Sequence, residues 1–127
     1  MEDLYIEGTS TTPEFHFKSN GELEVNGKSI PANASKMFEP VLEWLQKFSA
    51  EKVELSCKLE YFNTSTSKVL YDMLKDLESK FGPEKLCIKW YYEEGDEDVL
   101  ETGHYYESLI KVPFEFYMMS EFEMMNS

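Results

Sequence analysis

The sequence has few of the residues from which disulfide frameworks and metal sites are built. Its 127 residues include two cysteines, Cys57 and Cys87, and two histidines, His16 and His104. The two cysteines fall on opposite faces of two predicted strands, so a disulfide between them is not expected. No C-x-x-C pair and no His-rich spacing indicates a set of metal ligands. We therefore predict neither a metal nor any other cofactor.

Basic residues are scarce as well. The chain has 12 Lys and Arg against 25 Asp and Glu, which gives a formal net charge of −13. This charge disfavours binding to the phosphate backbone of nucleic acid or to an anionic membrane surface. A protein partner with a basic patch fits better, although acidity that only keeps the domain soluble would also suffice.

Long apolar runs are missing too. No run approaches the length of a membrane span, and the first residues, Met-Glu-Asp-Leu-Tyr, lack the apolar core of a signal peptide. The sequence therefore predicts a cytoplasmic protein that does not insert into a membrane.

The sequence signatures of common enzymes do not occur. There is no G-x-S-x-G motif, no P-loop and no dinucleotide fingerprint. Carboxylates are numerous, but no pattern pairs two of them in a pocket for acid–base work. An enzymatic hypothesis would rest on the carboxylates of residues 93–98, but acids at a helix start complement the helix dipole, so a structural role is expected for them. We predict a protein that is not an enzyme.

Apolar residues recur with the periods of strands and helices. The pattern predicts a short strand at residues 4–6 and a hairpin whose turn contains Asn20-Gly21. The tail from residue 119 is predicted to be frayed. The hairpin strands are predicted at residues 14–18 and 22–26, and the later strands at residues 52–62, 85–92 and 112–118. The predicted helices are residues 35–48, the stretch that ends at residue 81, and residues 96–110.

The strands alternate apolar and polar residues along their length. A parallel strand covered on both faces would be apolar throughout, so the alternation predicts helices on one face of the sheet only. The open face is expected to be free or covered by a partner or a second copy, with Tyr91, Tyr117 and Phe62 on it. In residues 52–62 the core-facing set is expected to be Val53, Leu55, Cys57, Leu59 and Tyr61.

These patterns predict one α/β domain over residues 1–127. It would have a single mixed sheet of five to six strands, an N-terminal hairpin and about three helices packed on one face. The β-α-β-α-β-α-β order that follows the hairpin implies right-handed crossovers.

A polar stretch lies where a predicted strand runs into a predicted helix. The first N–H groups of a helix have no helical partner, and the dipole adds partial positive charge, so a phosphate is stabilised there. A residue that merely caps the helix would explain part of the pattern. The stretch consists of Asn63, four consecutive hydroxyl residues and a base: Thr64, Ser65, Thr66, Ser67 and Lys68.

The segment Tyr61-Phe-Asn-Thr-Ser-Thr-Ser-Lys68 resembles the signature of the SiaC family of bacterial regulatory phosphoproteins. That family is related to the STAS domains of anti-sigma-factor antagonists, whose one-sided α/β layer agrees with the fold predicted above. Thr66 departs mildly from the pattern, where serine is more usual. Four more segments extend the resemblance over nearly the whole chain: Thr12-Pro-Glu-Phe15, Pro31-Ala-Asn-Ala34, Pro40-Val-Leu-Glu-Trp-Leu45 and Trp90-Tyr-Tyr-Glu-Glu94.

The resemblance implies a site and partners. Thr64 would be phosphorylated by a partner kinase and dephosphorylated by a partner phosphatase, with Ser65 and Thr66 as alternative positions. Asn63, Thr64, Ser65, Ser67 and Lys68 would form the region that the phosphate switches. The unphosphorylated form would bind and activate a diguanylate cyclase and so control cyclic-di-GMP and biofilm formation.

Two other interpretations stay open at this point. The same fold could serve as an antagonist that binds a kinase-type anti-sigma factor, with Thr64 modified as before. Alternatively, Thr64 only caps its helix and has no signalling role.

Overall fold

A computed structural model describes residues 1–120 of the chain. Of the tail predicted to fray, residues 121–127 lie outside the described residues, and Met119 is the last residue of a strand. The strands are β1 (Leu4–Ile6), β2 (Glu14–Phe17), β3 (Glu22–Ser29), β4 (Val53–Phe62), β5 (Leu86–Glu93) and β6 (Phe114–Met119), and the helices are α1 (Ala34–Lys47), α2 (Thr64–Lys85) and α3 (Glu97–Leu109).

The strands form one six-stranded sheet in chain order, from β1 to β6. β1, β2 and β3 pair antiparallel, and β3 to β6 pair parallel, with one helix between successive parallel strands. The turn between β2 and β3 needs Gly21, whose φ is 107°. A Cβ atom there would also lie 2.0 Å from the carbonyl oxygen of Lys52. The predicted hairpin and mixed sheet are confirmed.

The helices cover the face of the sheet that carries the apolar residues, as predicted. Alternate positions of β2 to β5 point toward the helices and are almost fully buried, which produces one continuous core. The largest buried side chains of this core include Trp90, Phe15, Phe17, Phe38, Phe48, Leu55, Leu70, Met73 and Leu74.

The opposite face of the sheet is polar, and its charges are paired across strands. Lys58 Nζ lies 3.0 Å from Glu24 Oε1, and Lys89 Nζ lies 3.3 Å from Glu54 Oε2. The Lys58 ammonium also sits 4.9 Å from the ring centroid of Tyr91. Lys58 and Lys89 are therefore each paired with a glutamate of a neighbouring strand.

Two tyrosines and one cysteine complete this polar face. The rings of Tyr91 and Tyr117 stack with centroids 4.9 Å apart, as expected for residues on the open face. Cys87 lies beside Glu54 on the same side, whereas Cys57 is buried in the core. The two cysteines are thus on opposite faces, as the sequence predicts, and burial raises the pKa of Cys57 to about 12.

Tyr61 and Phe62 are oriented opposite to the prediction because β4 contains a bulge. The register with β3 shifts after Leu59, which makes Glu60 an extra residue and reverses the alternation beyond it. Tyr61 is 57% exposed, whereas the ring of Phe62 packs edge-on against Trp90 with centroids 6.2 Å apart. The expectation that Tyr61 faces the core and Phe62 the open face is therefore wrong.

Of the three crossover helices in the described part of the chain, α1 and α2 contain a proline. Pro40 lies in the middle of α1, as the seventh of its fourteen residues, where a proline cannot donate the usual helical N–H hydrogen bond. In α2 the helical path is interrupted at Gly82, whose φ of 72° and ψ of 179° are not helical, immediately before Pro83. The Gly82-Pro83 pair therefore ends the regular helix where the sequence predicts it.

Candidate functional site

Asn63 forms the cap that joins β4 to α2. Its Oδ1 accepts a hydrogen bond from the N–H of Thr66 at 2.9 Å, and its carbonyl oxygen accepts one from the N–H of Ser67 at 2.9 Å. Its side-chain NH₂ donates to the carbonyl oxygen of Pro31, also at 2.9 Å, which ties the junction to the segment before α1. The residue that caps the helix is therefore Asn63, and Thr64 is the first helical residue.

Thr66 is the buried member of the four hydroxyl residues. Its side chain is fully inaccessible to solvent, like that of Ser29 on β3. The two hydroxyl oxygens lie 2.6 Å apart, and the Thr66 hydroxyl also donates to the carbonyl oxygen of Ser29 at 3.2 Å. Thr66 thus fixes the first turn of α2 to the end of β3.

Ser65 and Ser67 connect the same turn to the other two helices. Ser65 Oγ accepts a hydrogen bond from the N–H of Ala34, the first residue of α1, at 2.9 Å. The Tyr106 hydroxyl of α3 donates to the carbonyl oxygen of Ser67 at 2.7 Å, and Ser67 Oγ lies 2.8 Å from the same hydroxyl. Tyr106 is 2% exposed, and this burial raises its pKa to about 12.

Thr64 differs from its three neighbours. Its side chain is exposed, and within residues 1–120 its hydroxyl has no hydrogen-bond partner. Lys68, one helical turn further along, is also exposed and forms no ion pair with any described residue. A chemical group attached to the Thr64 hydroxyl would therefore break no contact that holds the junction together.

Thr64 borders a shallow groove between α2 and α3, called the α2–α3 groove below. The groove has a volume of about 310 Å³. Its α3 wall exposes apolar groups: Tyr105 is 62% exposed and Leu109 is 38% exposed. The groove is lined by Thr64, Ser67, Lys68 and Tyr71 from α2, and by Tyr105, Tyr106 and Leu109 from α3.

The sequence reasoning missed this groove. The apolar pattern of residues 96–110 predicts that Leu109 is buried. This prediction is wrong, because Leu109 is the last residue of α3, is 38% exposed and lies beside the groove. Tyr105 is four residues earlier and therefore on the same side of the helix. The sequence signal that could have indicated the groove was the apolar pair Tyr105 and Leu109, four residues apart and outside the buried positions Val99 and Tyr106.

The position of α3, and so of the groove wall, depends on Gly103. A Cβ atom at this position would lie 2.5 Å from Nε1 of Trp90 and 2.8 Å from the ring of Phe116. The indole N–H of Trp90 donates to the carbonyl oxygen of Val99 at 2.9 Å, which holds the same helix against β5. The absence of a side chain at Gly103 lets α3 approach the sheet this closely.

Among the acidic residues 93–98, Asp96 has a structural contact. Asp96 caps α3, since its carboxylate accepts a hydrogen bond from the N–H of Val99 at 3.1 Å. Among the described residues, no group of three or more His, Cys, Asp or Glu is arranged to hold a metal ion.

No helix within residues 1–120 is both long enough and apolar enough to cross a membrane.

Comparison with known protein sequences gives two findings. A sequence model of the family described as "SiaC family regulatory phosphoprotein" matches residues 6–119. The chain is also 33% identical, over 119 residues, to the uncharacterized protein PA14_02130 of Pseudomonas aeruginosa (strain UCBPP-PA14). That alignment covers 90% of this chain and 94% of the relative.

Solved structures give a matching result. The fold is similar to SiaC of Pseudomonas aeruginosa, with a TM-score of 0.82 and 30% identity over 94% of this chain and 100% of the other. It is also similar to a chain in the crystal structure of diguanylate cyclase SiaD in complex with its activator SiaC, from the same organism. There the TM-score is 0.83 and the identity 30%, over 92% of this chain and 100% of that chain.

Proposed function

Since this chain belongs to the SiaC family of regulatory phosphoproteins, we propose that reversible phosphorylation of Thr64 switches its binding to a partner protein. The proposed partner is a diguanylate cyclase, which the unphosphorylated form binds and activates. A cognate kinase and phosphatase set the phosphorylation state. The protein acts in the cytoplasm and has no catalytic activity of its own.

One observation carries the assignment to Thr64. Of the four hydroxyl residues at the start of α2, Thr64 is exposed and has no partner within residues 1–120. Thr66 is buried, and the hydroxyls of Ser65 and Ser67 are held by Ala34 and Tyr106. A kinase could modify Thr64 without disturbing the junction, whereas modification of a neighbour would first break a contact.

The size of the expected switch follows from the charge of a phosphate. Phosphorylation adds about −1.5 to −2 charges at neutral pH. Thr64 borders the exposed Tyr105 and Leu109, so the phosphate would be carried into any interface formed there. Desolvating such a group without a compensating partner costs several kcal/mol, and each 1.4 kcal/mol is tenfold in affinity. One phosphate would therefore reduce binding by roughly a hundredfold or more.

The test of this proposal uses the purified protein and the purified full-length diguanylate cyclases of the organism from which this chain comes. We expect the unmodified protein and Thr64→Ala to raise cyclic-di-GMP production from GTP by one of these cyclases. Thr64→Glu should abolish the activation, while Thr11→Glu, at another exposed threonine that does not line the α2–α3 groove, should keep it. Equal activation by Thr64→Ala and Thr64→Glu would rule out the switch, and activation of no cyclase would rule out the partner.

The modified residue is identified by phosphopeptide mass spectrometry on protein isolated from its native cells. We expect one phosphate on Thr64 that disappears on phosphatase treatment. A phosphate on Ser65 or Thr66 instead would reassign the site, and it would require the hydrogen bond of that residue to open.

A further inference from the structure

We propose that the α2–α3 groove binds one apolar side chain of the cyclase, next to a carboxylate of the same segment that pairs with Lys68. This inference rests on the proposed function and adds to it the binding surface and the chemistry of the bound segment.

The apolar part of the inference comes from the exposure of the groove walls. Tyr105 and Leu109 leave 62% and 38% of their surface in solvent, and both lie on one side of α3. The ring of Tyr71 on the opposite wall is 5.8 Å, centroid to centroid, from Tyr106, which is buried and forms the floor. Contiguous apolar groups of this kind on a surface mark interaction sites. A concave site of about 310 Å³ suits one large side chain, used as an anchor.

The carboxylate part comes from the charge of the groove. The whole chain carries a formal charge of −13, yet none of the seven lining residues is acidic and one, Lys68, is basic. The Lys68 ammonium has no ion-pair partner within residues 1–120. An acidic group on the incoming segment would find a positive charge here, in a domain whose net charge is negative.

The same arrangement accounts for the direction of the switch. Thr64 and Lys68 are four residues apart in a helix, so their side chains lie on one side of α2. A phosphate on Thr64 would pair with the Lys68 ammonium and so take the place of the partner's carboxylate. It would also repel that carboxylate and bring water to the mouth of the apolar groove. Phosphorylation then weakens binding without any change in the fold.

The first experiment measures the affinity of the unphosphorylated protein for the full-length cyclase that it activates, by calorimetry. Tyr105→Ala should weaken binding by about tenfold or more, as expected for loss of an aromatic anchor contact. Tyr105→Phe should keep it. The control is Tyr5→Ala, which removes an equally exposed tyrosine, at 57%, from the far edge of the sheet and should change the affinity less than about twofold.

The second experiment reverses one charge. Lys68→Glu should weaken binding by about tenfold or more, whereas Lys36→Glu, at an exposed lysine on α1, should change it by less than about threefold. Thermal unfolding of each variant checks that the fold is retained.

The outcomes separate this inference from the function on which it rests. If the unmodified protein binds the cyclase, Thr64→Glu does not, and Tyr105→Ala binds normally, the groove is not the binding site although the proposed function stands. If Lys68→Glu and Lys36→Glu weaken binding equally, the pairing with Lys68 is wrong. If the unmodified protein binds no cyclase, the proposed function fails, and the groove inference fails with it.

Discussion

Replacing Thr66 by valine should destabilise the domain much more than the same replacement at Thr64. Valine has nearly the shape of threonine, so the change removes the hydroxyl and keeps the packing. At Thr66 this leaves the buried Ser29 hydroxyl without its partner at 2.6 Å, which costs about 1–3 kcal/mol of unfolding free energy. At Thr64 the hydroxyl is exposed, so the expected change is within about 0.5 kcal/mol.

Urea unfolding followed by tryptophan fluorescence measures both changes, because Trp90 is buried in the core. In a domain of this size, about 1 kcal/mol corresponds to about 4 °C in the midpoint of thermal unfolding. Thr66→Val should therefore lower that midpoint by about 4–12 °C, and Thr64→Val by no more than about 2 °C. Adding Ser29→Ala should reduce the cost of Thr66→Val, since neither hydroxyl then lacks a partner.

Equal effects of the two valine variants would refute the distinction between a buried hydroxyl that holds the junction and an exposed one that does not. If Thr66→Val lowers the free energy of unfolding by the same amount alone and in combination with Ser29→Ala, the two hydroxyls are not coupled.

Two further changes probe the elements that support the site. Gly103→Ala should lower the free energy of unfolding by about 1–3 kcal/mol, measured by urea unfolding, because the added carbon would collide with Trp90; Thr102→Ala, at the preceding and partly exposed position, is the control. The pKa of Glu78 is lowered chiefly by a side-chain hydrogen bond from Lys75 and, second, by one from the backbone N–H of Lys111. The ionised Glu78 carboxylate therefore stabilises the fold above the ordinary carboxyl pKa, and this stabilisation is lost as the pH falls through the lower pKa of the folded state. In acid titrations of stability, the difference between the unmodified protein and Glu78→Gln should therefore shrink toward low pH, and a difference that grows would contradict this contact.

The fold could be predicted largely because its strands alternate so regularly. Alternation in β4 and β5 indicates which face is buried, and a helix between successive parallel strands follows from the order of the elements. The bulge at Glu60 could not be predicted in this way, because no residue type there marks an extra position. It depends on the pairing of β4 with β3, and it reverses the orientation of Tyr61 and Phe62.

The candidate site could be predicted in position but not in detail. A polar run between a strand and a helix indicates the helix start, and Asn63 is a common cap. Which hydroxyls are engaged depends on residues far away in the chain. Ser29 is 37 residues from Thr66, Ala34 is 31 residues from Ser65, and Tyr106 is 39 residues from Ser67. Contacts at such separations follow from the tertiary fold and have no local sequence signal.

The hydrogen bonds that hold the first turn of α2 also determine how an enzyme can recognise Thr64. An active site that takes its substrate as an extended peptide would have to unwind this turn and release its bonds to β3, α1 and α3. The proposed kinase must therefore recognise the folded surface around a residue that is already helical. The amino acids that flank Thr64 in the chain would then matter less to that enzyme than the neighbours which folding brings beside it.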